Sequence, residues 1–314
     1  MKMRRLFIVN PQSGRGRGLR VGKEIEESIN NEEIEGEIIY TKKPGEERIL
    51  ARKAILDGYD CLYSVGGEGT NNGVINGLAE LGIPIRIPLG FFPAGTANDF
   101  ARYLGIPEDV KEALEMIKEN KVMAIDLGKV SGKINERIFL NEVSFGFTSR
   151  IVQVFEDAKR RYPFFPTIGL YLATAFPLFF QLKYFEVEIA IPEANIRDII
   201  TFVLIANGPN CGGILKFKLA PEADPADNLL DICLIKKMGI ARVLIDTLRA
   251  IGEGTHLNLP EIWTKDGKLP QTYSLTISSP KDLPGETDGE LLVAEKEYRV
   301  TVLPKALKVI VPNK

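Results

Sequence analysis

The hydrophobic period of this 314-residue chain changes once, near residue 125, so two differently layered structures must follow one another. Up to that point, short apolar runs alternate with helical patterns. Arg5 to Val9, Gly36 to Tyr40, Asp60 to Val65 and Ile85 to Leu89 read as strands bounded by Gly, Pro or Asn. Between them Val21, Ile25 and Ile29 share a helical face, as do Val74, Ile75, Leu78 and Leu81. Val110, Ala113, Leu114 and Ile117 do the same after a start signal at Pro107. Such alternation predicts an α/β domain, a parallel sheet covered by helices. Beyond Asp126 the period is two. "YFEVEIAI" puts Phe185, Val187, Ile189 and Ile191 on one face, "EYRVTVLP" puts Tyr298, Val300 and Val302 there, and "ALKVIVP" Leu307, Val309 and Val311. These read as half-buried antiparallel strands. With strand signals at 125–130, 137–145, 198–207, 229–235 and 272–278, they predict an all-β sandwich with helices inserted near 148–182 and 239–251. The expected domains are 1–125 and 126–314, and a return of strand 305–314 to the first domain stays open.

A chain of this length exceeds the size at which one core keeps growing, and its 45% apolar content is ample for two. Forty basic against 42 acidic residues leave a formal charge of -2, which excludes global attraction to nucleic acid or an anionic membrane. Any phosphate or membrane binding must then be local. Cys61, Cys211 and Cys233 lie far apart, make no zinc spacing, and by their odd number argue against a disulfide framework. The apolar run Leu6 to Val9 stops at Asn10-Pro11, too short for a signal-peptide core, so a reducing cytoplasm is the expected location. Residues 163–182, PFFPTIGLYLATAFPLFFQL, carry no charge, yet Pro163, Pro166 and Pro177 oppose one continuous spanning helix. The preceding Lys159, Arg160, Arg161 and Tyr162 leave two readings. One is a buried helix pair beside a solvated basic turn, the other transient peripheral contact with the inner membrane face.

Three glycine-bearing turns follow predicted strands. "GGEGTNNG" at 66–73 passes from strand to helix, leaving unpaired N–H groups that no Cβ obstructs. Helix-dipole charge makes such a turn a phosphate site, with the Thr70 hydroxyl placed to add a donor. Alone, it equally suits close helix packing, and it matches neither GxxxxGK[ST] nor GxGxxG. "VNPQSGRGRG" at 9–18 and "FPAGTANDFAR" at 92–102 supply two more, all at the strand ends where open α/β sheets collect ligands.

This ordered set resembles the soluble diacylglycerol kinase catalytic family of lipid kinases, which includes sphingosine and ceramide kinases and is distantly similar to NAD kinases. The resemblance spans nearly the whole chain. It rests on NPQSG, GGEGTNNGVING where the family reads GGDGTxNExxNG, GTANDFAR, NGPNCGG at 207–213, APEADPADNLLD at 220–231 and TDGE at 287–290. It implies a nucleotide-binding α/β domain, a β-sandwich domain and a site in the cleft between them. ATP would be contacted by Asn10, Pro11, Gln12, Ser13, Gly14, Thr41, Gly66, Gly67, Glu68, Gly69, Thr70, Asn71, Asn72 and Thr96. Glu290 would be the general base, and Glu68 and Asp99 would organise catalytic Mg2+. A separate structural Mg2+ would take the Asp227 side chain with Asp224 and Leu229 contributing through backbone carbonyls; a solvated acidic turn is the alternative there, since Asn228 stands where the family has Gly. The implied reaction is phosphate transfer to the hydroxyl of diacylglycerol or a similar lipid alcohol, within lipid metabolism and phospholipid biosynthesis.

Physical chemistry agrees with those roles. Phosphoryl transfer asks for positioning and charge neutralisation, which N–H turns, arginines and an oxygen-ligated Mg2+ supply. The single histidine, His256, lies outside every motif, so a carboxylate must move the proton, and burial could raise its pKa toward neutrality. Two departures fall in the most diagnostic motif. Glu68 replaces the family Asp, and Gly73 replaces the family Glu, at a helix cost of roughly 1 kcal/mol. They keep open a non-catalytic nucleotide- or lipid-binding protein; the shared GG-acid-GT turn keeps open an NAD kinase. No signal fixes the oligomeric state.

Overall fold

The computed structural model describes residues 3–162, 165–209, 218–239, 242, 262–264 and 268–313. Their elements in chain order are β1 (Arg5–Val9), α1 (Arg17–Asn30), β2 (Glu37–Tyr40), α2 (Glu46–Leu56), β3 (Cys61–Gly66), α3 (Glu68–Ala79), β4 (Leu89–Pro93), α4 (Asp99–Tyr103), α5 (Val110–Glu119) and β5 (Val122–Ser131). There follow β6 (Glu136–Phe139), β7 (Glu142–Gly146), α6 (Phe147–Arg161), α7 (Thr167–Phe179), β8 (Phe185–Ile191), β9 (Ala194–Ala206) and β10 (Leu230–Lys236). The last are β11 (Gln271–Thr272), β12 (Ser274–Leu283), β13 (Gly285–Thr287), β14 (Glu290–Leu291) and β15 (Glu295–Ile310). Two compact units result, Met1–Leu127 with Pro304–Lys314, and Gly128–Leu303. The chain therefore crosses between them inside β5 and inside β15.

In the first unit the strands run parallel in the order β2, β1, β3, β4, with Val309 of β15 beside Leu89 of β4. Every residue of β3 and β4 is buried, as a sheet covered on both faces requires. Phe7 stacks on Tyr63 at 4.6 Å between ring centroids, and Phe92 meets both edge-on. Val21 and Ile25 of α1, Val74, Ile75 and Leu78 of α3, and Val110, Ala113, Leu114 and Ile117 of α5 are buried, as their spacing predicts.

Several boundaries differ from the sequence expectation: the single strand read at 137–145 is two, β6 and β7, β5 spans Val122–Ser131 rather than 125–130, and β9 starts at Ala194 rather than 198. The fourth strand is Leu89–Pro93 rather than 85–89, because Pro84 and Pro88 cannot donate to a ladder and LGFFP is apolar enough for full burial. Helix α5 starts at Val110 rather than beside Pro107, since the Asp109 carboxylate accepts the Glu112 N–H at 3.0 Å as an N-cap. "ALKVIVP" is no half-buried antiparallel strand: it lies parallel to β4, and Ala306, Leu307, Val309 and Ile310 are all buried.

The second unit is a β-sandwich-like, antiparallel assembly organised by β9. One edge of β9 pairs with β8 over Ala194–Ile200 and then with β7 over Phe202–Ala206; the other edge pairs with β10. Val203 and Ile205 join Phe145, Ile232 and Tyr298 in one core, while Leu204 and Ala206 join Cys233 and Ile235 in a second. Both faces of this strand are covered, so "TFVLIA" shows no alternation. Helices α6 and α7 fill the expected insertion, α7 keeping Pro177 in its last turn. Among the described residues no helix is long and apolar enough to cross a membrane. The expected helix at 239–251 apart from residues 239 and 242, Cys211, His256 and the part of NGPNCGG after Pro209 lie outside the described residues.

Candidate active site

At the C-terminal edge of the first unit's sheet the three glycine turns pack backbone against backbone. A Cβ on Gly14 would stand 2.1 Å from the Ala94 carbonyl oxygen, one on Gly95 2.4 Å from the Gly67 Cα, and one on Gly67 3.4 Å from Ser13 Oγ. Gly14 also has a φ of 53°, beside Arg15 at 59° and Gly16 at 89°, a left-handed run that curls the β1–α1 turn. The N–H groups of Ala94 and Gly95 both donate to the Gly66 carbonyl, at 2.8 and 3.1 Å. Asn98 closes its own loop, with Oδ1 accepting the Gly95 N–H and Nδ2 donating to the Gly95 carbonyl. Glycine lets these backbones approach so closely, and the result is one continuous rim rather than three separate loops.

Residues 10–14 sit on that rim. The Asn10 N–H extends the ladder to Val65 O, its Oδ1 accepts the Gln12 N–H at 3.0 Å, and its Nδ2 donates to Thr70 Oγ1 at 3.0 Å. Pro11, Ser13 and Gly14 are partly exposed and Gln12 is open to solvent. Thr41 closes β2, its N–H donating to Val9 O at 2.8 Å, and Thr96 is exposed on the β4 turn. In the third turn, Gly67, Glu68 and Gly69 form a partly exposed lip, while Gly66 and Thr70 to Asn72 lie buried behind it. There Asn71 Oδ1 accepts the Ser64 hydroxyl at 2.7 Å, and the carbonyl and Oδ1 of Asn72 accept the Asn76 amide. The Thr70 hydroxyl thus accepts from Asn10 instead of standing at the lip.

The two acids of this unit meet. Glu68, first residue of α3, accepts the Asp99 N–H at 3.0 Å; Asp99 is buried, and its Oδ1 takes Arg102 Nη1 at 3.1 Å. Arg102 is fixed in turn on the Ala97 carbonyl at 2.8 Å. Asp99 is thus tied to Glu68 through its backbone and to Arg102 through its carboxylate. Among the described residues no three His, Cys, Asp or Glu side chains form a metal cluster. A pair of carboxylates still fits Mg2+, which commonly takes one or two of them and completes its octahedron with phosphate and water oxygens.

Gly73 has a local explanation. A Cβ there would lie 2.7 Å from Glu47 Oε1, and one on Gly77 2.2 Å from the Arg48 carbonyl oxygen. The Gly73-x-x-x-Gly77 face is where α2 seats on α3, and the buried Glu47 side chain fills the notch.

In the second unit Glu290 opens β14, directly across the β13–β14 hairpin from Thr287. Its carboxylate takes Arg137 Nη1 at 2.5 Å, with 41% of the side chain exposed. The buried acid of this turn is instead Glu286, which burial pushes up to about 7 despite bonds from Ser144 and the Gly289 N–H. Neither Arg137 nor Glu286 was singled out by sequence: Arg137 lies 153 positions from its partner, and Glu286 is visible only as the acid of GETDGE.

The acidic stretch 224–231 forms a turn before β10. Asp224 Oδ1 accepts the Ala226 N–H, Asp227 Oδ1 the Leu229 N–H at 2.9 Å, and the Gln271 amide bridges Asp227 Oδ2 and Asp231 Oδ2. Asp231, not expected as a site residue, is buried, and burial first, then Asp227 and Glu222, push it up to about 6. Both carboxylate oxygens of Asp227 thus meet protein donors, the Leu229 N–H and the Gln271 amide, while carboxylate oxygen is the ligand type that a hard cation prefers.

Comparisons with known proteins follow these divisions. The diacylglycerol kinase catalytic domain model matches residues 4–130, and the YegS C-terminal NAD kinase beta sandwich-like domain model matches 141–311. A diacylglycerol kinase of Staphylococcus aureus is 30% identical over 294 residues, 92% of this chain and 87% of the relative. One of Staphylococcus carnosus is 29% identical over 291 residues, 92% and 89% of the two chains. A crystal structure of a diacylglycerol kinase from Bacillus anthracis superposes with a TM-score of 0.76 at 26% identity, covering 98% of this chain and 96% of that one. The chain belongs to the diacylglycerol kinase family of lipid kinases.

Proposed function

We propose that the protein transfers the γ-phosphate of ATP, with Mg2+, to the hydroxyl of diacylglycerol or a similar lipid alcohol. The observation that carries this reading is the mutual packing of the three glycine turns at one edge of the parallel sheet, which leaves Gly67, Glu68 and Gly69 as a partly exposed lip at the start of α3, where a helix N-terminus favours an anion. Residues 10–14, 66–69 and Thr96 would hold the phosphates, with Thr41 and Thr70 to Asn72 keeping the rim in shape. Arg15, at the tip of the first turn, adds local positive charge. Glu68 and Asp99 would hold the cation, which when bound neutralises charge spreading over the transferring group. Glu290 would accept the hydroxyl proton, and Arg137 holds its carboxylate in one orientation. Asp227, Asp224 and Leu229 would hold a second, structural Mg2+.

Contact with the lipid surface would be made by α7. Leu172, Phe176 and Phe180 follow at intervals of four and are all more than half exposed, and α6 ends in Lys159, Arg160 and Arg161. The test is transfer from ATP to diacylglycerol in mixed micelles, with a Glu290→Gln control and other lipid alcohols. Transfer lost in the control is the expected result; ATP binding without transfer to any acceptor would sink the proposal.

A further inference from the structure

Glu286 and Glu290 lie on either side of a single two-residue turn, and the two carboxyls are treated differently: the Glu290 side chain is 41% exposed, Glu286 is 3% exposed. The turn residues Asp288 and Gly289 have φ of 46° and 82°, the left-handed pair of a tight hairpin. The direction in which β14 leaves, and with it Glu290, is set by whatever grips these two residues. Asp288 is gripped by the N–H groups of Leu140, Asn141 and Glu142, at 2.8 to 3.0 Å. Gly289 is gripped by Glu286, whose Oε2 accepts its N–H at 2.9 Å. The other oxygen of Glu286 accepts a short bond from the hydroxyl of the fully buried Ser144, which is paired at 2.7 Å with Thr148 Oγ1 in the first turn of α6.

We propose that Glu286 is a positioning residue for Glu290, holding the Asp288–Gly289 turn through the Gly289 N–H and tying that grip to its own charge through the Ser144–Thr148 hydroxyl pair. The inference rests on Glu290 as general base. Ionised, Glu286 accepts both bonds, and the one from Gly289 is charge-assisted. Protonated, it must donate. Ser144 can then turn to accept, because either member of the Ser144–Thr148 pair can be the donor, and the bond from Gly289 becomes an ordinary neutral one. The proton exchanges with solvent.

Burial places this change near neutrality, at about 7, and the Asp288 carboxylate raises it further while the Ser144 and Gly289 bonds lower it. The other charged groups on elements around β13 are Glu136 and Arg137 on β6, Glu142 on β7, Arg150, Glu156, Asp157, Lys159, Arg160 and Arg161 on α6, and Glu290 on β14. The turn should therefore be held more firmly above neutral pH than below it.

The test reads the Gly289 amide by 15N–1H NMR of the full chain between about pH 5 and 9, beside transfer kinetics. In the wild type its shift should titrate near neutrality, and Glu286→Gln, which preserves shape and bonding capacity, should abolish that titration. Ser144→Ala should move the midpoint upward, because it removes a bond to the ionised form. Glu286→Gln should also lower kcat about tenfold, leave KM for ATP unchanged and flatten the neutral limb of the pH profile. A Gly289 amide that does not titrate, or titrates alike in Glu286→Gln, overturns the proposal, as does an unchanged kcat profile. Transfer retained by Glu290→Gln would remove the base reading by itself, since the amide titration is read without turnover.

Discussion

The carboxylate of Glu68 accepts the backbone N–H of Asp99 at 3.0 Å, so the acid that opens α3 also caps the first turn of α4. Asn98, the residue before α4, has a φ of 55° and makes no side-chain cap. An aspartate at position 68 would stop one methylene short. Glu68→Asp should therefore cost about 1 kcal/mol and lower Tm by about 2–4 °C. Glu68→Gln keeps an oxygen for the Asp99 N–H and removes the charge. It should hold Tm while lowering transfer at least about tenfold, as expected for loss of a group acting on the transition state. Calorimetry and transfer rates on the pair separate the two roles: a fully stable Glu68→Asp would deny the capping role, and an undiminished rate in Glu68→Gln would deny the catalytic one.

The glycines of α3 make a prediction about packing alone. Ala in place of Gly gains about 1 kcal/mol of helix propensity. At Gly77 the new methyl meets the Arg48 carbonyl at 2.2 Å, and a backbone atom cannot swing aside. At Gly73 it meets the Glu47 side chain, which can rearrange at some cost. Gly77→Ala should lose about 1–3 kcal/mol net, and Gly73→Ala less. Urea unfolding of both variants measures the difference, and equal midpoints would contradict the crossing described.

The glycine turns were legible in the sequence because their requirement is local: positions such as Gly14 and Gly95 have no room for a Cβ. Helix faces such as Val74, Ile75 and Leu78 were legible for the same reason, since period and burial coincide. What stayed hidden depends on partners far along the chain. Arg137 meets Glu290 across 153 positions, Glu47 fills the notch at Gly73, and Asp231 meets Asp227 only through Gln271. The apolar part of β9 was readable at 198–207, but not its start at Ala194, and that run cannot tell that β7, β8 and β10 share its two edges. Boundaries failed where prolines broke the pattern, as at β4.

Two acids of the second unit should drive stability in opposite directions with pH. Burial pushes the Glu295 carboxyl up, yet the N–H groups of Asn135, Ile134 and Lys133 and the Asn135 amide outweigh it and hold the carboxyl below its ordinary range. Its contribution is present above the unfolded value of about 4.3 and is lost as pH falls through the lower folded value. Glu286, pushed up to about 7, does the reverse: the folded state keeps a proton that the unfolded chain has released, so stability falls as pH rises from about 4.3 toward 7. Asp231, raised to about 6, adds to that second slope. Urea midpoints across the range should show a flattened acid limb in Glu295→Gln and a flattened neutral decline in Glu286→Gln. Curves parallel to the wild type would refute the assignment.

Arg137 should matter to rate more than to stability. The pair with Glu290 is partly solvated, which limits its stabilising effect to less than about 1 kcal/mol. Its planar fork nevertheless fixes where the Glu290 oxygens point. Arg137→Ala should lower kcat about tenfold with Tm nearly unchanged, and Arg137→Lys should restore part of the rate. If Arg137→Ala turned over at the wild-type rate, the ion pair would be a surface contact only.

The exposed face of α7 gives the last prediction. Phe176 and Phe180 touch edge to face at 5.4 Å between ring centroids, and with Leu172 they form a stripe that nothing in the described residues covers. Complete burial of one such side chain contributes about 1.5–3 kcal/mol, so these half-exposed residues should gain about 1 kcal/mol each on entering the lipid boundary. Lys159, Arg160 and Arg161 should add about 1 kcal/mol each near anionic headgroups, a contribution that salt screens. The double change Phe176→Ser with Phe180→Ser should cut partitioning onto phosphatidylglycerol vesicles at least about tenfold at any ionic strength. Replacing the three basic residues with glutamine should weaken binding chiefly at low salt. Vesicle sedimentation measures both, with ATP binding as the control for folding. Binding unchanged in the phenylalanine variant would return α7 to the role of a buried-pair helix whose stripe has no lipid partner.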